Sequence, residues 1–233
     1  MGKGLKMRIR NARGRTDGNS GYTRVLGNDR LGQLMSRVQA TVIANGNELE
    51  KMIVERSNTI ENLEKFIDDV TEGNINDGVY LCRKKEIKSS TRYAVNGIKG
   101  IEPDLLIFVV EKKRICKVIE LKDGDSFDTK KSQGEREHLE QFATNFGARI
   151  PFVTEYYICC FNQEDKEKIK VGFKGEFSED HIMTGSELCE ILNIDYNELR
   201  SIRKADMSDN LEYFIEQLIE IPEIKAIIAR KYK

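Results

Sequence analysis

An α/β fold is predicted by three features of the 233-residue chain. Two apolar runs, Leu105–Val110 and Ile115–Lys122, flank a short charged break and read as a β-hairpin. Amphipathic helical spacing precedes the hairpin over residues 47–72 and follows it over residues 132–145. A third apolar run, residues 154–161, has the length and the aromatic and β-branched content of a buried strand.

Upstream of the hairpin, Leu49, Met52, Ile53, Ile60, Leu63, Phe66, Ile67 and Val70 fall largely at helical spacing, and Gly73 is a natural stop. Glu50 lies on the rim of that stripe in the first turn, and Glu55 follows on the same helix. Residues 78–82 begin the sheet, which is expected to continue as a basic strand through Arg83, Lys84, Lys85 and Lys88. The loop over residues 89–100, with Arg92, Tyr93 and Lys99, then leads into Pro103-Asp104.

Within the hairpin, Glu120 and Lys122 are two apart on one strand and share a face. Asp104 joins them if it lies opposite either residue, which requires an odd loop such as residues 111–113. Two carboxylates and an ammonium at one strand end form a hard-cation site with a positive group beside it. Such a site suits phosphodiester hydrolysis.

The acid-rich stretch after Lys122 (Asp123, Asp125, Asp128) lacks the ligand spacing of an EF-hand and is expected to lead into the next helix. That helix turns Leu139, Phe142, Ala143 and Phe146 inward, with His138 at the surface. Thr184 and Glu187 form a capping box. Asp195 and Asp209 are expected to cap two short helices, and Pro222 to open a last one.

Composition narrows the class. No apolar stretch approaches the roughly 20 residues that span a bilayer, and no secretory signal is expected at the N-terminus. Five cysteines without CxxC pairing read as reduced thiols of a cytoplasmic protein. Two histidines make a zinc centre a poor expectation. Net charge is −1 overall, yet residues 1–40 carry nine Lys or Arg against two acids. A basic arm on an acidic remainder is an electrostatic footprint for nucleic acid. Within it Arg13-Gly14-Arg15 is similar to arms that enter narrow minor grooves. A solvated basic tail is the alternative.

At Pro103-Asp104 and Glu120-Leu121-Lys122 the sequence resembles both halves of the motif of the PD-(D/E)xK nuclease superfamily. Gly46-Asn47-Glu48-Leu49-Glu50, opening the upstream helix, matches the superfamily's helix glutamate. The resemblance covers residues 45–162. It implies a restriction-endonuclease-like αβββαβ core with a mixed sheet, here with a basic N-terminal arm and a C-terminal helical extension. The expected organisation is an arm over residues 1–44, a nuclease core over 45–175 and a helical extension over 176–233, together one domain. By the same resemblance, Asp104 and Glu120 bind Mg²⁺ with help from the Leu121 carbonyl. Lys122 orients or deprotonates the attacking water, or stabilises the phosphorus centre. Glu50, or else Glu55, completes a second metal site or positions ligands through water. Arg10, Arg13, Arg15, Arg92, Lys99, Lys130 and Lys131 are the expected DNA contacts.

Within the superfamily the size, the absence of helicase and nucleotide-binding motifs and the flanking segments are most like a type II restriction endonuclease. That implies a homodimer cutting double-stranded DNA at a specific sequence, with no nucleotide cofactor. A structure-specific or repair nuclease, and an inactive DNA-binding module on this fold, are the alternatives.

Overall fold

The structure, a computed structural model, describes residues 8–93 and 99–232. Its elements in chain order begin with α1 (Gly21–Leu26), α2 (Asp29–Val54), α3 (Leu63–Glu72), β1 (Gly78–Arg83) and α4 (Lys84–Ser89). Next come β2 (Leu105–Val110), β3 (Ile115–Lys122), α5 (Thr129–Gly147), β4 (Val153–Cys160) and α6 (Lys166–Gly172). The chain closes with β5 (Ile182–Thr184), α7 (Gly185–Ile191), α8 (Tyr196–Ile219) and α9 (Pro222–Lys231). It divides into two compact units, one running from Glu50 to Tyr196 and the other made of the residues before and after.

The Glu50–Tyr196 unit is built on a five-stranded mixed sheet in the order β1-β2-β3-β4-β5. The β1–β2 and β2–β3 pairs are antiparallel, and β3–β4 and β4–β5 are parallel. Leu106, Phe108, Cys116 and Val118 on one face join Phe66 and Ile67 of α3 and Phe142 and Phe146 of α5 in a single core cluster. On the opposite face Leu81, Leu105, Ile107 and Ile119 are also fully buried. Burial on both faces explains why β2 is a continuous apolar run rather than an alternating one. All five cysteines are free and buried. Among the described residues no helix is long and apolar enough to cross a membrane.

Three expected elements differ. The helix expected over residues 47–72 is the end of α2 followed by a separate α3, because the chain between them pairs with β1. α2 begins at Asp29 and so carries Glu50 near its C-terminus rather than in a first turn. Ile60 donates its N–H to the Leu81 carbonyl and Leu81 donates to that of Asn58, both at 2.8 Å, and the Asn62 side chain then caps α3. The basic strand expected through Lys88 is the helix α4. Lys84, Lys85 and Glu86 are good helix formers, and Glu86 turns back on Arg83 in a two-pronged ion pair. Asp209 is not a cap: α8 runs unbroken from Tyr196 to Ile219. The capping box at Thr184, the stop at Gly73 and Pro222 in the first turn of α9 are present.

In the other unit the described part of the segment expected to be a basic arm is structured. Ile9 is buried and donates its N–H to Asn210 Oδ1 at 2.7 Å. Arg8 pairs with Asp206 at 3.0 Å and Arg10 with Asp209 at 2.6 Å. The Tyr213 ring receives the guanidinium groups of Arg10 and Arg37, each 5.2 Å from its centroid. Gly14 lies against α2, where an added Cβ would meet Arg37 Cγ at 2.6 Å and the Gln33 carbonyl at 2.8 Å. Close packing thus accounts for the glycine between Arg13 and Arg15. Lys3 and Lys6 of the basic segment lie outside the described residues, as do residues 94–98 of the loop before Asp104.

Candidate active site

Register is what brings the two motif halves together. Leu105 pairs with Ile119 and Val109 with Ile115, so the three-residue turn 111–113 is the odd loop the arrangement needs. Continuing that register by one residue sets Asp104 across from Glu120. The Leu121 N–H donates to Asp104 Oδ2 at 3.1 Å, fixing the carboxylate against β3. A strand residue's N–H and C=O leave on the same side, so the Leu121 carbonyl faces the same edge.

The approach to Asp104 is also held in place. Pro103 is buried and Glu102 accepts hydrogen bonds from the Tyr93 hydroxyl and, at 3.2 Å, the Gly100 N–H. Burial and the Glu102 carboxylate push the Tyr93 hydroxyl up to about 12. At the head of α4, Lys84 donates its N–H to the Asp104 carbonyl at 3.2 Å and its ammonium to Oδ1 at 3.4 Å.

Lys122 shares the Glu120 face, as the two-residue period of a strand requires. Its ammonium lies 2.7 Å from Glu120 Oε1 and 2.9 Å from Glu135 Oε1 on α5, and 5.5 Å from the Phe127 ring centroid. Burial alone would lower the Lys122 pKa, but Glu120 and Glu135 outweigh it and hold the amine well above its usual range. Glu120 is driven up to about 7 by burial and then by Asp104, more than the Lys122 ammonium offsets. Glu50 is likewise raised, first by burial and then by Asp104. It therefore lies within electrostatic reach of the strand-end carboxylates. Glu55, past the end of α2, pairs with Lys51 at 3.7 Å.

Beside the strand end is a cleft of about 140 Å³ bordered by Lys84, Glu102, Glu120, Glu135 and His138. The charge around the strand end favours a cation. Asp104, Glu120, Glu135 and Glu50 set four carboxylates against the ammoniums of Lys84 and Lys122, with Arg83 matched by Glu86. Among the described residues no three His, Cys, Asp or Glu side chains form a cluster that would hold a metal unaided. That is compatible with Mg²⁺, which keeps several waters and needs only one or two carboxylates beside a substrate phosphate. The donor set here, two hard carboxylates and a carbonyl, fits it.

The expected DNA contacts are scattered. Arg13, Lys99, Lys130 and Lys131 are exposed. Lys130 and Lys131 fall in the first turn of α5, which starts three residues earlier than expected because Asp128 caps it. Arg15 pairs with Asp17 at 2.9 Å, and Arg10 is engaged by Asp209. Arg92 is held by Glu64 and Asp68, so its guanidinium is not among the groups at the strand end. The Asp123–Asp128 loop is anchored rather than open, with Asn162 donating to Asp123 and Gln163 to Asp125, each at 2.8 Å.

Lys84 and Glu135 were not singled out from the sequence. Glu135 had a readable signal. It sits four residues before Leu139 on the inward stripe of α5, where a polar residue needs a buried partner. Lys84 had none, since only the fold sets α4 against Asp104.

No protein-family model matches the chain. It is 62% identical over 226 residues to the type II restriction enzyme HhaII of Haemophilus parahaemolyticus, an alignment covering 97% of this chain and 99% of that protein.

Proposed function

The chain belongs to the family of type II restriction enzymes that includes HhaII, and from that premise we propose that it is a Mg²⁺-dependent, sequence-specific endonuclease of the PD-(D/E)xK superfamily acting on double-stranded DNA in the cytoplasm. The observation that carries this reading is the placement of Asp104, just before β2, opposite Glu120 by the β2–β3 register and bonded to the Leu121 N–H, with Lys122 on the Glu120 face.

Asp104, Glu120 and the Leu121 carbonyl are the groups that would hold Mg²⁺. Bound there, the ion supplies Lewis-acid polarisation of the scissile phosphate and acidifies a water. The chain's own residues do the rest. Lys122 presents a charged donor beside the carboxylates, positioned to orient the attacking water and to neutralise charge that grows on the phosphoryl oxygens. Lys84, on the other side of Asp104, adds a second donor at the cleft. Glu50 positions ligands around Asp104. Arg13, Lys99, Lys130 and Lys131 are exposed cations suited to backbone phosphates, contacts that set register without reading sequence.

A homodimer with one cleft per DNA strand follows from the same reading. It is supported by exposed apolar residues at four-residue intervals along α8, namely Met207, Leu211, Ile215 and Ile219.

The test is incubation of the protein with phage or plasmid DNA and Mg²⁺, without ATP, beside Asp104→Ala and Lys122→Ala. Discrete fragments from the wild type and none from either variant are expected. Intact linear duplex with cleavage of branched DNA would point instead to a structure-specific nuclease. Intact DNA from all three proteins with a retained gel shift would leave a DNA-binding module.

A further inference from the structure

Lys122 has a long, flexible stem, and a catalytic ammonium is useful only when its direction is fixed. Two carboxylates fix it here. Glu120 approaches from the same strand at 2.7 Å and Glu135 from α5 at 2.9 Å. If Glu120 is a metal ligand, as proposed above, its charge is shared with the cation once Mg²⁺ is bound, and its hold on Lys122 weakens. Glu135 is then the carboxylate that keeps the ammonium in place.

The helix that carries Glu135 is well anchored. Asp128 caps α5 by accepting from the Lys131 N–H at 3.0 Å, and Ser132, Leu139, Phe142 and Phe146 are buried beneath it. Glu135 lies between Ser132 and Leu139 on that inward stripe. The Phe127 ring, 5.5 Å from the ammonium, occupies another side of it. The lysine is thus confined by its own strand, a ring and a second helix.

We infer that Glu135 is a positioning residue for the cleavage reaction, holding the Lys122 ammonium at the scissile phosphate without touching DNA or metal. The inference rests on the nuclease reading, and its test separates the two. Glu135→Ala and Glu135→Gln are compared with wild type in steady-state cleavage of a duplex carrying one site, at varied DNA and at varied Mg²⁺. Loss of an outer-sphere partner of this kind typically costs about 10- to 100-fold in activity. A fall of that size in kcat is expected for Glu135→Ala, with KM for DNA and the half-saturating Mg²⁺ concentration unchanged. Glu135→Gln, which keeps an oxygen acceptor for the ammonium, is expected to recover most of the rate.

A second readout needs neither metal nor DNA. In metal-free protein with ¹⁵N-labelled lysine side chains, the Lys122 ammonium resonance is assigned by its loss in Lys122→Ala. It should exchange with water slowly in wild type and Glu135→Gln, and faster in Glu135→Ala. Unchanged kcat and unchanged exchange in Glu135→Ala, with wild type cutting DNA, would overturn the positioning role alone. So would a shift in the Mg²⁺ requirement, which would make Glu135 a metal ligand, or a rise in KM at constant kcat, which would make it a DNA contact. A wild-type protein that cuts no DNA would sink both readings.

Discussion

The backbone N–H of Leu121 donates to Oδ2 of Asp104 at 3.1 Å, so the middle residue of one motif half orients the carboxylate of the other. The contact depends on the register of the hairpin and not on any nearby loop. Asp104→Asn keeps an oxygen to accept that hydrogen bond and removes only the charge. Its thermal midpoint should stay near that of wild type while cleavage falls by about 100-fold or more, the scale of losing one electrostatic stabiliser of a transition state. Calorimetry beside a cleavage time course checks both halves. Equal activity in wild type and Asp104→Asn would remove Asp104 from the site.

Glu64 gives a prediction about acid stability. Its carboxylate accepts from the Ser90 hydroxyl at 2.6 Å, the Thr91 hydroxyl at 2.9 Å and the Arg92 N–H at 2.8 Å, and pairs with the Arg92 guanidinium. Burial pulls the other way, yet these partners hold the group down at about 2, against an ordinary value of 4.5. The folded pKa lies below the unfolded one, so the stabilisation is complete above about pH 4.5 and is lost as pH falls toward 2. Urea midpoints of wild type and Glu64→Gln should differ most near neutral pH and converge by about pH 2. A constant gap across that range would show that the ionised carboxylate is not what stabilises the loop.

The contrast between these two sites shows what the sequence makes legible. The hairpin, its odd turn and the shared face of Glu120 and Lys122 follow from strand periodicity and local spacing, and they were readable. The α2–α3 break was not, because it is set by hydrogen bonds from residues 58–60 to Leu81 on β1, a tertiary contact that no helical stripe encodes. α4 was misread as strand since a short run of Lys and Glu carries little periodicity of either kind. The clamp on Arg92 was hidden for the same reason. A basic residue in a loop looks free until the fold supplies Glu64 and Asp68. Glu135 alone among the missed groups left a local trace, a carboxylate on a buried helical stripe.

In the basic segment, Arg10 and Arg13 should behave differently. Arg10 is tied to Asp209 and stacks on Tyr213, whereas Arg13 is exposed. Arg13→Ala should leave the thermal midpoint unchanged and, if Arg13 meets a phosphate, lower the slope of log affinity against log salt by about 1. Arg10→Ala should lower the midpoint measurably, because Asp209 loses a partner and the Tyr213 ring one of its two cations. Fluorescence anisotropy with labelled duplex at several salt concentrations, without Mg²⁺, measures the first effect. An unaltered salt slope in Arg13→Ala would exclude that residue from the DNA footprint.

The proposed homodimer makes its own demand on α8. Leu211 is 64% exposed and Ile215 45%, in the middle of a stripe that begins at Met207 and ends at Ile219. Apolar residues exposed singly need no explanation, but a run of four along one helix favours burial against a partner. The helix is also polar in charge along its length, with Lys204 before the stripe and Glu212 and Glu216 beside its middle. Two copies laid antiparallel would set each basic end against the other's acidic end. Leu211→Glu places a carboxylate at the centre of that contact, where it would meet its own copy. Sedimentation should then show a dimer for wild type and a monomer for Leu211→Glu, with unchanged helical content. Cleavage should shift from double-strand scission toward nicking, since one cleft serves one strand. A Leu211→Glu protein that stays dimeric would move the interface off α8, and a monomeric wild type that still cuts both strands would end the homodimer reading.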